Sequence, residues 1–144
     1  MTYLLDTSAF LSLMERENQS IREIVRSVER RLPRSMGVMG ELIHGREVDP
    51  TNLERRATVE MYQELTEWTS GHPSVFLAAR YGEISAVASK EKLKIGQNDR
   101  WIIAEAADLG ANLITFDQVQ AQVARKCIAR GRSPFGVRLL GGEG

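Results

Sequence analysis

Short apolar runs separated by much longer helix-patterned stretches constrain this chain more than any other feature. Residues 2–5 read as a first strand and 112–115 as another, short enough to be buried on both faces. Residues 135–140 read as a last strand. Residues 34–38 read as a weak strand, because the run holds a glycine and an arginine. Between these runs the period changes. Residues 7–16 read as a helix, and Ile21, Ile24, Val25 and Val28 recur at helical spacing in a second that ends before Pro33. A short helix over 40–45 is followed by the Asp49-Pro50 turn. Thr51 or Asn52 then caps a helix running to about residue 68, which Gly71-His72-Pro73 breaks. Residues 74–77 read equally as strand or as the start of the helix over 78–93. Gly96-Gln97 reads as a loop. Asn98 caps the next helix, whose Ile102, Ile103, Ala106 and Leu109 face the core and which Gly110 ends. A last helix covers about 117–130. Short strands alternating with helices define an α/β fold with a mostly parallel sheet.

A chain of 144 residues is one domain of ordinary size and buries a core without staples. No run approaches the ~20 apolar residues that a membrane span needs. The start, MTYLLDTSAF, has no basic region and passes at once into a strand, so a signal peptide is not expected. The single cysteine, Cys127, excludes an internal disulfide and fits a cytoplasmic setting. Lysine plus arginine equals aspartate plus glutamate at 19 each, so a globally basic nucleic-acid binder is not indicated. Contact with a polyanion would rest on a local patch.

The carboxylates carry the chemistry. Parallel strands joined by right-handed crossovers end on one edge, where ligands of such sheets bind. Asp6 follows the first strand, and Asp117 follows the strand over 112–115. Asp99 opens the helix that feeds that strand, and a helix running back to its strand starts at the same edge. Glu41 opens the short helix after the weak strand and reaches the edge if that strand forms. Each acid alone also has a structural explanation: Asp6 and Asp117 as helix caps, Asp99 as a charge at the positive end of a helix, Glu41 as a solvated side chain. Together they converge without an obvious lysine or arginine between them. Converging carboxylates repel and raise one another's pKa values. A hard divalent cation, Mg²⁺ or Mn²⁺, removes that conflict by taking oxygen ligands.

Three stretches resemble the PIN-domain nucleases, and in particular the VapC-type toxins of toxin–antitoxin pairs. They are YLLDTSAF at 3–10, Glu41-Leu42-Ile43-His44-Gly45, and Asn98-Asp99-Arg100-Trp101-Ile102-Ile103-Ala104-Glu105-Ala106 followed by Gly110 and Leu113-Ile114-Thr115. They occur in family order and span nearly the whole chain. The resemblance implies one PIN domain over 1–144, an α/β/α sandwich with a central four- or five-stranded, mostly parallel sheet. It implies Mg²⁺- or Mn²⁺-dependent cleavage of RNA, with Asp6 and Asp99 as direct metal ligands and Glu41 and Asp117 completing the pocket. It further implies a homodimer and a small cognate antitoxin. Gly96-Gln97 departs from the proline common before the asparagine–aspartate pair, and the fourth acid, here Asp117, varies in the family. The helix over 117–130 and the Arg132-Ser133-Pro134 turn are not placed by motif.

Supporting roles have competing readings. Thr7 or Ser8 hydrogen-bonds Asp6 or a substrate phosphate, or simply caps a helix; Thr115 orients a carboxylate. Lys90, Lys92, Lys94 and Arg100 hold phosphates or are merely solvated. His44 reads as a surface or packing residue rather than a base, Trp68 and Trp101 as helical core or interface residues, and Cys127 as a small buried hydrophobe. Two other functions share the pattern: a PIN-type RNA-processing nuclease without a toxin role, and a non-catalytic, receiver-like phosphate-binding domain. The receiver arrangement of two adjacent acids with a lysine after a later strand is not found.

Overall fold

The structure, a computed structural model, describes residues 2–15, 19–28, 30–69, 75–131 and 136–140. Strand β1 (Tyr3–Leu5) leads into helices α1 (Thr7–Glu15) and α2 (Gln19–Ser27), then β2 (Leu32–Pro33). Helices α3 (Met36–Val48) and α4 (Leu53–Leu65) precede β3 (Thr66–Glu67). Helices α5 (Val75–Lys90) and α6 (Gln97–Leu109) lead to β4 (Asn112–Thr115), followed by α7 (Gln118–Ala129) and β5 (Val137–Leu139). Every pairing is parallel: β1 and β5 flank β4, and β2 pairs with β3. The two ladders lie side by side, with β2 against β1, so the strand ends run β3-β2-β1-β4-β5.

Burial explains the layers. Successive strand residues point to opposite faces, yet Leu4 and Leu5 are both buried, as are Leu113, Ile114 and Thr115. Both faces of the central strands are therefore covered by helices, the condition under which parallel sheets are stable. Phe10 of α1 meets Tyr62 of α4 edge to face, with ring centroids 4.9 Å apart. The Tyr62 hydroxyl accepts a hydrogen bond from the Ser35 N–H at 2.8 Å, which ties α4 to the start of α3.

Four expectations need correction. The strand expected over 34–38 is instead the earlier pair Leu32–Pro33, and α3 begins at Met36. Ser35 ends the extended segment because its side chain caps α3, accepting from the Val38 N–H at 3.1 Å. Helix α3 also runs through Gly40 and Gly45, so Glu41 lies in its second turn rather than opening it. The helix expected to reach about residue 68 ends at Leu65, and Thr66–Glu67 is a fifth strand. Asn98 does not cap α6: Gly96 holds that position, and Asn98 lies in the first turn. The break at 71–73, residue 74 and the turn at 132–134 lie outside the described residues, as does the start of the last strand at 135.

The start of α3 presses closely on α6. A Cβ built on Gly37 would lie 2.7 Å from Ile102 Cγ1 and 3.2 Å from Asn98 Oδ1, and Ile102 is fully buried with no room to yield. A Cβ on Gly40, one turn further along the same helix, meets nothing within 4 Å. The two glycines should therefore respond oppositely to alanine. Gly40→Ala is expected to stabilise the fold by about 0.5–1 kcal/mol through helix propensity. Gly37→Ala is expected to destabilise it by about 1–3 kcal/mol through overpacking. Urea unfolding of the two variants checks both signs.

Candidate active site

Asp6 stands one residue beyond β1, continues the β1–β4 ladder by donating its N–H to the Ile114 carbonyl at 3.0 Å, and is only 3% exposed. A carboxylate in that position needs donors. Oδ1 accepts from the Ser8 hydroxyl at 2.7 Å and the Ala9 N–H at 2.8 Å. Oδ2 accepts a short hydrogen bond from the Thr115 hydroxyl. Burial still pushes the Asp6 pKa upward, opposed by the bonds from Thr115, Ala9 and Ser8, with Asp117 adding repulsion. The Ala9 bond makes Asp6 the N-cap of α1 as well.

Asp117 likewise caps α7: its Oδ1 accepts from the Val119 and Gln120 N–H groups at 2.9 and 3.0 Å. Its own N–H donates to the Thr115 hydroxyl oxygen at 2.9 Å, so Thr115 joins the two aspartates. Ser8 makes a parallel link by accepting from the Phe116 N–H at 3.1 Å. The structural explanation of both acids as caps thus holds alongside their convergence.

Glu41 is drawn to the same place by Asn98. The Asn98 Nδ2 donates to the Gly37 carbonyl at 2.9 Å and, in a short bond, to Glu41 Oε1. Asp99, in the first turn of α6, differs from the others, since among the described residues no hydrogen bond reaches its carboxylate. Its pKa is pushed up to about 6, first by burial and then by repulsion from Glu41, Asp117 and Asp6. Among the described residues no lysine or arginine pairs with any of the four acids. The structure therefore brings Asp6, Glu41, Asp99 and Asp117 to one strand-end edge with their charge uncompensated.

The supporting residues divide. Ser8 and Thr115 orient Asp6, whereas the Thr7 hydroxyl is buried and has no hydrogen-bond partner among the described residues. Arg100 donates to the Ile95 carbonyl at 3.1–3.3 Å and approaches Ser85 at 3.5 Å, which engages its guanidinium in the α5–α6 connection. Trp101 stacks on Tyr81 at 4.1 Å. Two residues escaped the sequence reading. Gln120 is fully buried, with Oε1 3.1 Å from the Thr115 hydroxyl and Nε2 without a partner among the described residues. Turning that amide lets Nε2 donate to Thr115, whose single proton is then free for Asp6. Glu105 accepts from the Met36 and Gly37 N–H groups at 3.1 and 3.3 Å and so holds the start of α3 against α6. A polar residue on a helix gives no sequence signal for either role.

Among the described residues no three His, Cys, Asp or Glu side chains already form a metal-holding group. The donor set nonetheless suits a hard divalent cation: all oxygens, anionic, and with the Asp99 carboxylate free of hydrogen bonds among the described residues.

The sequence profile of the PIN domain matches residues 3–126, and the chain belongs to that family. Its fold is similar to a solved structure of VapBC-1 from nontypeable Haemophilus influenzae, at 26% identity and a TM-score of 0.74, covering 96% of this chain and 98% of that one. It is also similar to VapBC2 from Rickettsia felis bound to a promoter DNA fragment, at 19% identity, a TM-score of 0.71 and coverage of 98% and 100%. A third neighbour, FitAcB from Neisseria gonorrhoeae, has 19% identity and a TM-score of 0.63, with coverage of 94% and 96%. No curated protein matches the chain in sequence. The PIN-like α/β/α architecture expected from the motifs is therefore the fold of this chain.

The burial of Asp99, together with the repulsion from its neighbours, has a consequence for stability. Its pKa of about 6 in the folded chain stands above its ordinary value of 3.8, so the folded state holds this proton more tightly. The resulting stabilisation is complete below pH 3.8 and is lost as pH rises through about 6. Asp99→Asn keeps the shape and removes the charge. In EDTA at pH 7.5 this variant is expected to be more stable than the parent by on the order of 1 kcal/mol, discounted for partial exposure. At pH 4 the difference should shrink towards zero. Thermal melts at both pH values measure it, and a variant melting below its parent at pH 7.5 would reduce Asp99 to a helix-end charge.

Proposed function

We propose that this protein is a divalent-cation-dependent endoribonuclease and the toxin of a toxin–antitoxin pair. The observation that carries the reading is Asp99, a carboxylate without a cationic partner among the described residues and crowded by Glu41, Asp117 and Asp6 at the strand-end edge. PIN-family membership and the VapBC and FitAcB neighbours support it. On this reading the chain is a single PIN domain that works in the cytoplasm as a homodimer and is held inactive by a small cognate antitoxin. Among the described residues no helix is long and apolar enough to cross a membrane.

In this scheme Asp6 and Asp99 hold Mg²⁺ or Mn²⁺ directly, and Glu41 and Asp117 complete the pocket. When bound, the cation offsets charge on a phosphoryl oxygen and makes water a stronger nucleophile. The protein supplies the rest. Thr115 and Ser8 keep the Asp6 carboxylate in a fixed orientation, and Asn98 does the same for Glu41. Asp99 is ionised above about pH 6 and so ready to ligate at neutral pH. Hydrolysis adds the water oxygen to phosphorus and breaks one phosphodiester P–O bond of the RNA chain.

The purified protein is expected to cut single-stranded RNA with Mg²⁺ or Mn²⁺ and to stop with EDTA. Asp6→Asn and Asp99→Asn should each lower the rate by at least about 100-fold while remaining folded. Full activity in either variant, with contaminating nuclease excluded, would rule the assignment out.

A further inference from the structure

The strand-end edge that holds the acids continues past β1 to β2 and β3. Arg34 follows β2 and Trp68 follows β3, just as Asp6 follows β1 and Asp117 follows β4. Contacts establish that β2 ends on the acid edge. Its next residues open α3, whose Gly37 and Glu41 take the Asn98 hydrogen bonds beside Asp99. The ladder carries Trp68 to the same edge, since the Arg34 N–H donates to the Glu67 carbonyl at 2.9 Å.

Trp68, expected on a helix as a core or interface residue, follows β3 instead and does not enter the core. It is 54% exposed, a large apolar surface left to water beside the site. The Arg34 guanidinium lies over its ring, 5.0 Å from the centroid. Arg34 itself is fixed: Nε donates to Thr66 Oγ1 at 3.0 Å, and Nη2 donates to the Gln63 and Thr66 carbonyls, each at 2.7 Å. Among the described residues Nη1 makes no hydrogen bond, which leaves a cationic donor at the edge of the indole. A held guanidinium over one part of an exposed indole matches what an unpaired nucleotide offers: a flat base to stack and a phosphate to bind. The end of β3 lies beside that of β2, and β2 packs against β1, so the platform and Asp6 lie along one row of strand ends.

We infer that Arg34 and Trp68 form a stacking platform for one unpaired base of a single-stranded RNA whose backbone continues along the strand ends to the acids. The inference rests on the nuclease reading above and names the form of its substrate. A paired stem presents no free base face and is not held by this platform.

The test separates platform from nuclease. Binding of a short unpaired oligoribonucleotide is measured by fluorescence anisotropy in EDTA, with Asp99→Asn protein so that no cleavage occurs. Adding Trp68→Ala to it should weaken binding by about tenfold, and Trp68→Phe by much less, because a phenyl ring still stacks. Arg34→Gln should also weaken it. Binding of a blunt duplex of the same length should change little. In the cleavage assay Trp68→Ala, with the acids intact, should raise KM more than it lowers kcat. Unchanged oligoribonucleotide affinity in Trp68→Ala, while Asp6→Asn abolishes cleavage, overturns the platform and leaves the nuclease standing; weakened capture of a protein partner in that case would assign the face to the partner. A parent protein that neither binds nor cuts the RNA overturns both.

Discussion

A carboxylate buried at the end of the first strand is the constraint on which the rest of this molecule depends. Asp6 is in the β1–β4 ladder through its backbone and in the site through its side chain. Leaving that charge without donors would cost several kcal/mol, so the chain surrounds it with Ser8, Ala9 and Thr115. Those donors come from the start of α1 and the end of β4, which means the site exists only when the strands pair in the observed register. Thr115 extends the arrangement to Asp117 and Gln120. Stability and placement of the acids are thus one property.

The same economy appears across the α3–α6 contact. Gly37 lets the helices approach, Asn98 bridges to Glu41, and Glu105 satisfies two N–H groups at the start of α3. Asp99 sits one residue from Asn98, is partly buried and repelled by the other three acids, and takes no hydrogen bond among the described residues. A site built this way is strained at neutral pH by its own charge. A cation held among the acids, as proposed above, would relieve that strain by binding the ionised carboxylates of the folded state.

Much of this was legible in the chain, and the failures have physical reasons. β1 and β4 were readable because consecutive apolar residues buried on both faces leave no other interpretation, and Asp6 and Asp117 followed from where those strands stop. Gly110 marked the end of α6 because its left-handed φ of 69° suits glycine. The two-residue strands β2 and β3 were not readable, since Leu32–Pro33 and Thr66–Glu67 are too short for any periodicity to show. Missing β3 hid the position of Trp68. The start of α3 was misplaced because one of its supports, Glu105, lies 69 residues from Met36. Gln120 escaped because a polar residue in a helix reads as solvated, and only tertiary packing buries it.

The central claim is that the four carboxylates form one cation site. Crystals soaked in Mn²⁺ and measured for anomalous scattering test it most directly. The account predicts a peak among Asp6, Glu41, Asp99 and Asp117, within about 2–2.5 Å of carboxylate oxygens of Asp6 and Asp99. It also predicts loss of that peak in Asp6→Asn. A Mn²⁺ peak held elsewhere on the chain, with none among these residues, would contradict it.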